Sequence, residues 1–419
     1  MIPKPELHES ATLRAVTIAE RTIQSAIEAG ASDVHFQSIS RGLVVRFRVD
    51  GVLEDYDLVS DDLGRRIVNH LKVLAEMNVA DRRRPQDGRL FYEHAGRFVD
   101  LRVATVDSLY GENLTLRVLD RANAHRGLAD LGLESAEQSL VQDLIRHPHG
   151  LVLVTGPTGA GKTTSLYALL EELNDSGRNL VTVEEPIEYD VDRVNQIAVD
   201  RRLGLGFAEC LRAVFRHDPD VIMVGEIRDP ESADIAVRAA LSGHLVLSSL
   251  HSGSAISAYT TLVQFGVPPF MAASALLGVV TQQLVRKNCP GCQESIPLVD
   301  SMPLPFDRAL LDGVVANGST PKLAAGRGCA GCRSTGFSGR AGIFEILTVS
   351  PEIREALAAR TSRKRLETLA RAGGWRPLLE AGFSRIARGA TTWEEVQRVA
   401  PAPVDFDLAH DWTPPIEHA

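Results

Sequence analysis

The first part of the chain mixes helical and strand-like patterns of apolar residues. Apolar side chains recur at helical spacing in residues 11–29, which stop at Gly30, and again in residues 61–79. Alternation of apolar and polar residues predicts strands at 43–49, at 89–106 with a hairpin turn at Ala95–Gly96, and at 113–119. These elements predict a smaller α+β domain over residues 1–122.

A different pattern follows a short polar stretch, residues 123–132, which we interpret as a linker. Helical segments separate most of four short, nearly continuous apolar runs, and this pattern predicts a parallel sheet covered on both faces. The runs are residues 150–156, 179–186, 220–226 and 244–251. The apolar stretch FMAASALLGVV at 270–280 is too short to span a bilayer and predicts a buried helix.

The last part of the chain has weaker periodicity. Residues 286–345 are rich in Gly, Cys and Pro and predict a subdomain of their own. Residues 351–400 have helical spacing, and the Pro-rich residues 401–419 predict a flexible tail. Together these patterns predict one α/β domain over residues 133–400 that includes the subdomain and the helical segment.

The overall charge limits the classes of partner. The chain has 419 residues and a formal net charge of -9, whereas bulk binding of nucleic acid needs a basic face that displaces counterions. We therefore expect no direct contact with nucleic acid. No run of about 18 apolar residues occurs, and the polar start MIPKPELHES lacks the apolar region of a signal peptide. These features predict a cytoplasmic protein.

The sequence GPTGAGKTT at 156–164 matches the phosphate-binding pattern GxxxxGK[ST], between a strand pattern and a helical pattern. Backbone N–H groups of such a loop and of the helix start would hold the phosphates of ATP. Lys162 would reach the β- and γ-phosphates, and Thr163 would bind Mg²⁺. The predicted nucleotide-binding residues are Gly156, Pro157, Thr158, Gly159, Ala160, Gly161, Lys162, Thr163 and Thr164. With the parallel sheet, the loop predicts a RecA-like P-loop domain.

Carboxylates follow two of the predicted strands. The run DVIMVGE ends at Glu226, which at the carboxyl edge of a parallel sheet would orient the attacking water or accept its proton. A purely structural pairing of Glu226 with Arg228 or with a neighbouring helix is the alternative. The segment TVEEPIEY places Glu184 and Glu188 around a Pro-containing turn, where they would face Mg²⁺ or its waters, or else form a solvated acidic loop.

Two histidines, His244 and His251, bracket the run LVLSSL. Seven residues along a strand span about 23 Å, and an odd separation points the side chains to opposite faces. The two histidines therefore cannot both contact one bound group if the strand is uninterrupted. One of them would sense the γ-phosphate, and a structural role is the alternative for each.

Four of the five cysteines form two C-x-x-C pairs, CPGC and CAGC. Four thiolates brought to one ion suit tetrahedral Zn²⁺, and a reducing compartment makes disulfides less favoured. Free thiols or redox pairs are the alternative. The predicted zinc ligands are Cys289, Cys292, Cys329 and Cys332. The fifth cysteine, Cys210, is expected to be buried in a helix.

These motifs occur in an order that resembles one group of motors. GPTGAGKTT, TVEEPIEY, VGEIRD and SGHLVLSSLH together resemble the secretion-superfamily ATPases. The upstream ASDVHF, VRFRVDGVL and PQDGR and the downstream cysteine pairs narrow the resemblance to the GspE/PulE/PilB family, the motors of type II secretion and type IV pilus assembly. The resemblance covers residues 11–400.

The resemblance implies a cytoplasmic homohexamer that hydrolyses Mg-ATP. It would sit at the inner membrane through protein partners, drive a platform protein there, and, like larger relatives, contact a membrane-anchored adaptor. It also implies that arginines of the first domain reach the phosphates, and Arg89 in PQDGR and Arg102 in DLRVAT match positions of that kind. A solvated basic loop is the alternative for the run DRRRPQDGR. The four-cysteine insert favours assembly or secretion over pilus retraction.

The sequence departs from the family pattern in three places. The acidic box reads EEP rather than EDP, HSGSA replaces HTNDA after the second histidine, and the long region that larger relatives carry before ASD is absent. The last difference weakens the expectation of an adaptor contact and of signalling-nucleotide binding.

Two other functions stay open on the sequence alone. One is a docking component that binds ATP with little turnover, against which the complete set of Lys162, Thr163 and Glu226 argues. The other is the motor of a DNA-uptake pilus, since such pili use the same assembly motors.

Overall fold

The structure is a computed structural model that describes residues 11–119, 127–296 and 323–400. The described residues form two compact units, one on each side of the gap between residues 119 and 127. Part of the predicted linker at 123–132 and all of the predicted tail at 401–419 lie outside the described residues.

The first unit is a six-stranded antiparallel sheet with two helices packed on one face. Its elements are α1 (Ala11–Glu28), β1 (Ala31–Ile39), β2 (Gly42–Val49), β3 (Val52–Val59), α2 (Asp61–Leu74), β4 (Gln86–His94), β5 (Arg97–Ser108) and β6 (Gly111–Leu119). The strands lie in the order β3-β2-β1-β6-β5-β4. Alternate residues such as Phe36, Val45 and Leu116 are buried against α1 and α2. The opposite face carries polar side chains.

The predicted elements of this unit are confirmed, with one change of length. The hairpin turns at Ala95 and Gly96, which both have positive φ. Helix α2 ends at Leu74 rather than at residue 79. Glu76 takes a left-handed conformation with φ of 56°, and the N–H of the residue after it returns to the Lys72 carbonyl at 2.9 Å. This backbone geometry ends a helix.

The second unit is built on a seven-stranded sheet. Its strands are β7 (Gly150–Thr155), β8 (Leu180–Glu184), β9 (Asn195–Ala198), β10 (Val221–Val224), β11 (Leu245–Leu250), β12 (Leu276–Asn288) and β15 (Phe337–Thr348), and a separate pair is formed by β13 (Gln293–Ser295) and β14 (Ala324–Gly326). The strand order is β15-β12-β7-β11-β10-β8-β9, and only β15 runs antiparallel to its neighbour. The four predicted apolar runs form β7, β8, β10 and β11, which confirms the parallel sheet.

Helices cover both faces of this sheet, as the sequence predicts. They are α3 (Ser135–Ile145), α4 (Lys162–Leu173), α5 (Phe207–Val214), α6 (Pro230–Leu241), α7 (Ala255–Gln264), α8 (Pro269–Ala275), α9 (Pro351–Ala358), α10 (Arg363–Ala372), α11 (Leu378–Ala387) and α12 (Trp393–Val399). Leu151 and Leu153 pack with α5 to α10 on one face, whereas Val152 and Val154 pack with α3 and α4 on the other. The α/β class and the helical carboxyl-terminal segment are therefore confirmed.

The prediction of one buried helix at 270–280 is wrong. Helix α8 ends at Ala275, and strand β12 begins at the next residue. The β-branched residues Val279, Val280 and Thr281 favour a strand, and β12 pairs with β7 on one side and β15 on the other. An apolar run of this length does not by itself distinguish a buried helix from a buried strand. Within the described ranges no helix is long and apolar enough to cross a bilayer.

Candidate active site

The predicted phosphate loop connects the buried strand β7 to the start of α4. At Gly156, where φ is +145°, a Cβ would lie 2.4 Å from the carbonyl oxygen of Gln282, so the close approach requires glycine. Gly161 takes the left-handed conformation immediately before α4. The side chain of Gln282, which the motif does not include, donates to the Ala160 carbonyl at 2.7 Å. The neighbouring strand β12 therefore supports the phosphate loop through this hydrogen bond.

Lys162 lies in the first turn of α4, and its ammonium group turns back to the loop. It donates to the carbonyl oxygens of Gly156 at 2.7 Å and Pro157 at 3.2 Å, and its Nζ lies 3.2 Å from Nδ1 of His251. Burial lowers the pKa of Lys162, and the nearby Glu226 opposes that shift. Across the part of the chain that the structure describes, no carboxylate forms an ion pair with this ammonium group. No carboxylate therefore competes directly with an incoming anion for this group.

Glu226 follows β10 and lies at the same edge of the sheet. Its Oε2 accepts a hydrogen bond from Nε of Arg228 at 2.7 Å, so the predicted alternative accounts for one carboxylate oxygen. Its Oε1 lies 2.5 Å from Nε2 of His251 but accepts no well-directed hydrogen bond from any described residue, although the atom is buried. Lys162, His251 and Glu226 thus form one series of contacts beside the phosphate loop.

Two serines that the motifs do not predict hold the strand end before Glu226. The hydroxyl groups of Ser248 and Ser249 donate to the carbonyl oxygens of Val224 and Gly225, both at 2.8 Å. The two serines are buried in β11. Their signal in the sequence is a pair of adjacent polar residues inside an otherwise apolar strand.

The chemical groups at the start of α4 and on Glu226 are of the kinds that bind Mg-ATP. A buried carboxylate oxygen of Glu226 lies 2.5 Å from His251, which in turn contacts an ammonium group without a carboxylate partner. Thr163 is exposed at the second residue of α4, the position whose hydroxyl binds Mg²⁺ in phosphate loops of this pattern.

The two predicted carboxylates of TVEEPIEY have different surroundings. Glu184, at the end of β8, is 3% exposed. Its oxygens accept hydrogen bonds from Tyr167 at 2.5 Å, Thr182 at 2.6 Å and Gln196 at 3.2 Å. Glu188 is half-buried, and its backbone N–H donates to the Tyr167 hydroxyl at 3.3 Å. Burial and the Glu184 carboxylate raise the pKa of Tyr167. The catalytic roles of Glu184 and Glu188 stay predictions.

The departures from the family pattern have structural roles at the same edge. Glu185 forms a bidentate ion pair with Arg201, at 2.6 and 3.0 Å, and this pairing lowers the pKa of Glu185. Ser254 caps α7, because its hydroxyl oxygen accepts the backbone N–H of Ser257 at 3.2 Å. An aspartate is an equally good cap, so the serine preserves this function.

His244 lies at the opposite end of β11 from His251. Its Nδ1 is 3.1 Å from the Ala239 carbonyl oxygen, and its ring packs on Phe215 with 5.6 Å between centroids. The prediction that the two histidines cannot contact one bound group is confirmed, since the strand between them is uninterrupted. The structure brings His251, and not His244, to the phosphate loop.

The predicted arginines lie on the polar face of the sheet in the first unit. Cross-strand register places Arg89 opposite Arg102, Arg102 opposite Arg117, Arg117 opposite Asp33, and Asp33 opposite Arg48. We call these five residues the arginine row. Sequence reasoning missed two of its arginines, because the register across five strands is not visible in any local motif.

Arg89, at the end of this row, is held by a carboxylate. Its Nε and Nη2 donate to the two oxygens of the buried Asp100 at 2.7 and 2.5 Å, and its guanidinium lies 4.7 Å from the ring centroid of Phe91. The Asp100 hydrogen bond raises the pKa of Arg89. Much of the hydrogen-bonding capacity of Arg89 is therefore used within the first unit.

The four predicted cysteine ligands converge on one point. Their sulfur atoms all lie within 4.8 Å of one another, and the nearest pairs are separated by 3.7, 3.8 and 3.9 Å. Four sulfurs placed tetrahedrally around Zn²⁺ are about 3.8 Å apart, so the cluster fits this ion. The N–H groups of Cys329 and Gly336 donate to the Cys332 sulfur and lower the pKa of that thiol to about 6. Cys210 is buried in α5, as predicted.

A further carboxylate, Glu345 on β15, was not expected from any motif. It is 3% exposed, and its two oxygens accept the backbone N–H groups of Ala255 at 2.8 Å and Leu378 at 3.2 Å. Burial raises the pKa of Glu345 to about 7, although both hydrogen bonds and Arg363 oppose the shift.

We expect Glu345→Gln to remove a pH dependence of stability. The pKa of Glu345 in the folded protein lies above the ordinary value of 4.5, so the wild type loses stability as the pH rises from about 4.5 through 7, by about 3 kcal/mol. The glutamine variant should lack this loss. Unfolding free energies of both proteins between pH 4.5 and 8 provide the measurement. Parallel pH profiles would contradict the raised pKa.

The parallel sheet, the phosphate loop after β7 and the carboxylate after β10, which β11 separates from β7, define a P-loop ATPase. The chain belongs to the family described as "Type II/IV secretion system protein", whose model matches residues 7–398. This membership confirms the resemblance and the secretion-ATPase class.

Relatives agree with this assignment, and solved structures share the fold. The chain is 43% identical over 384 residues to type II secretion system protein E of Pseudomonas aeruginosa, which is 92% of this chain and 75% of that protein. It is 41% identical over 384 residues to type II secretion system ATPase E of Vibrio cholerae, with the same coverage of 92% and 75%. The Legionella pneumophila ATPase DotB shares the fold, with a TM-score of 0.66, 19% identity and coverage of 91% and 95%. The pilus retraction motor PilT with bound ADP also shares the fold, with a TM-score of 0.58, 23% identity and coverage of 92% of this chain and 97% of that chain.

Proposed function

We propose that this chain is a cytoplasmic Mg-ATPase that assembles as a homohexamer and powers type II protein secretion. It would work at the inner membrane through protein partners, by driving a platform protein that extrudes pilin-like subunits. The series of contacts from Lys162 through His251 to Glu226 carries the enzymatic part of this proposal. The names of the relatives at 41% and 43% identity favour secretion over type IV pilus assembly.

Each residue of the site has a chemical role in this proposal. The loop N–H groups and Lys162 bind the β- and γ-phosphates, and Thr163 holds Mg²⁺. Bound Mg²⁺ supplies positive charge that neutralises the phosphates during transfer. Glu226 orients the attacking water or accepts its proton. His251 lies between Lys162 and Glu226 and links the phosphate-binding group to the carboxylate.

The arginine row supplies guanidinium groups to the phosphates in the assembled protein. Arg102 lies between two other arginines of the row, Arg89 and Arg117, which are directly opposite it on the neighbouring strands. A guanidinium placed at the γ-phosphate stabilises the charge of the transition state. We propose Arg102 and Arg89 as the contributors, because they lie opposite each other on neighbouring strands of the row.

The four-cysteine cluster holds a structural Zn²⁺ in this proposal. Its four sulfurs leave no ligand position for water in a tetrahedral site, which is the pattern of structural rather than catalytic zinc. The ion would stabilise the connection between β12 and β15.

Turnover of Mg-ATP per subunit should rise with protein concentration and then level off, because assembly completes each site. In the assembled protein, Arg102→Ala and Arg89→Ala should each lower kcat by about 10³-fold. Steady-state kinetics over a wide concentration range, with the mass of the particle measured by light scattering, tests both points.

Other outcomes distinguish the alternatives. Turnover by monomers would contradict completion of the site by assembly. ATP binding without turnover at any concentration would favour a docking component, and turnover stimulated by DNA would favour a DNA-uptake motor.

A further inference from the structure

Glu345 joins two helix starts to the edge strand of the main sheet. Ala255 is the first residue of α7, and Leu378 is the first residue of α11, so both N–H groups that Glu345 accepts belong to first turns. Such groups have no partner within their own helix, and a carboxylate there is also favoured by the helix dipole. The carboxylate therefore ties α7, α11 and β15 together at one buried point.

The segment between β11 and α7 contains His251, and Glu345 holds the end of this segment at Ala255. Three residues separate His251 from Ala255. The middle one is Gly253, where an added Cβ would have no other atoms within 4 Å. His251 itself is half exposed, with a side-chain exposure of 52%. Upstream the segment is anchored by the ladder hydrogen bonds of β11. Downstream its anchors are the cap formed by Ser254 and the bond from Ala255 to Glu345.

Glu345 is also connected to the strand that leads into the phosphate loop. In the sheet register Glu345 lies opposite Thr281, and Thr281 lies opposite Thr155, the last residue of β7. The hydroxyl groups of the two threonines are hydrogen-bonded at 2.7 Å. The three buried side chains form a continuous row from the start of the loop to the start of α7.

We propose that Glu345 is a positioning residue for His251, because its carboxylate fixes the start of α7 and so holds His251 against Lys162 and Glu226. In this proposal it acts through the segment that it fastens and not by contact with the nucleotide or the reacting water. The inference rests on the function proposed for this site. It also gives the carboxyl-terminal helices, through Leu378 of α11, a mechanical connection to the catalytic edge.

Glu345→Gln keeps the size of the side chain but replaces one accepting oxygen by an amino group, so one of the two bonds is lost. We expect kcat to fall about tenfold with KM for ATP changed less than twofold, since His251 is displaced while the phosphate loop is intact. In a His251→Ala background the same substitution should change kcat less than twofold, because the two residues act as one unit. Glu345→Asp, which shortens the reach, should give the same loss and replaces the glutamine variant if that variant does not fold.

Glu395→Gln provides the matched control. Glu395 is also a buried carboxylate of the second unit that accepts a backbone N–H, but its partners are Arg286 and Arg398. We expect it to lower thermal stability and to leave kcat intact. An equal kcat loss in this control, or a full Glu345 effect without His251, would overturn the inference.

The proposed function and this inference fail in different ways. If Glu226→Gln abolishes turnover but both Glu345 variants keep the wild-type kcat, the inference is wrong and the function stands. If Glu226→Gln leaves turnover intact, the assignment of the site fails, and the inference fails with it.

Discussion

Glu226→Gln should lower ATP turnover by about 10²–10⁴-fold while ATP affinity stays within a few-fold. Glu226 is the described carboxylate that contacts His251 and Arg228, and its second oxygen has no well-directed partner. Glutamine preserves the shape and the contact with Arg228 in part, but it cannot accept a proton from water. Because Lys162 and the loop N–H groups are unchanged, phosphate binding should persist.

The measurement is kcat of the assembled protein together with equilibrium binding of a fluorescent ATP analogue. Glu231→Gln is a suitable control, because Glu231 lies nearby on α6 but only pairs with Arg212 at the surface. Equal activity of the two variants would show that a group other than Glu226 orients the attacking water or accepts its proton. Loss of nucleotide binding in Glu226→Gln would instead indicate that the carboxylate organises the loop.

Removal of the metal should have the second large effect, on stability. Structural zinc sites of four cysteines contribute about 10–16 kcal/mol of apparent binding free energy at neutral pH. The described segments that hold the cysteines, 289–296 and 323–336, bury few apolar side chains, among them Leu323. Bound zinc would therefore supply much of the order of these segments. Cys332→Ser, or treatment with a strong chelator, should remove one metal per chain and lower Tm by about 10 °C.

Elemental analysis, thermal unfolding and limited proteolysis between β12 and β15 check this expectation. Cys210→Ser is the control, since Cys210 is buried in α5 and belongs to no cluster. This variant should keep the full metal content. Purified wild type without metal, yet with the stability of the metal-loaded protein, would contradict a structural role.

Local patterns were sufficient for most of the fold. Helix spacing at 11–29, the hairpin at Ala95–Gly96 and four apolar runs were all read correctly, because each depends on the period of side chains along one element. The phosphate loop was equally visible, since its glycines and lysine are adjacent in sequence. The prediction for residues 270–280 was wrong, because burial of both faces of a strand removes the alternation of apolar and polar residues that distinguishes it from a buried helix.

The missed residues depend on other elements for their role. Gln282 supports the loop from another strand, Ser248 and Ser249 bond a neighbouring strand end, and Glu345 accepts N–H groups 90 and 33 residues away. None of these contacts has a local signature. A polar residue within a strand indicates only that some partner exists.

The amino-acid sequence by itself determined the class of fold, the nucleotide loop, the carboxylate after β10 and the four cysteines, because each is defined by residues close together along the chain. Only the tertiary structure decided which histidine reaches the loop, that Arg117 stands beside Arg102 with Arg48 further along the same row, and that Glu345 fastens α7. The physical reason is that strand order, register and side-chain burial are set by the packing of the whole unit. Contacts across strands and helices therefore exist only once the chain has folded.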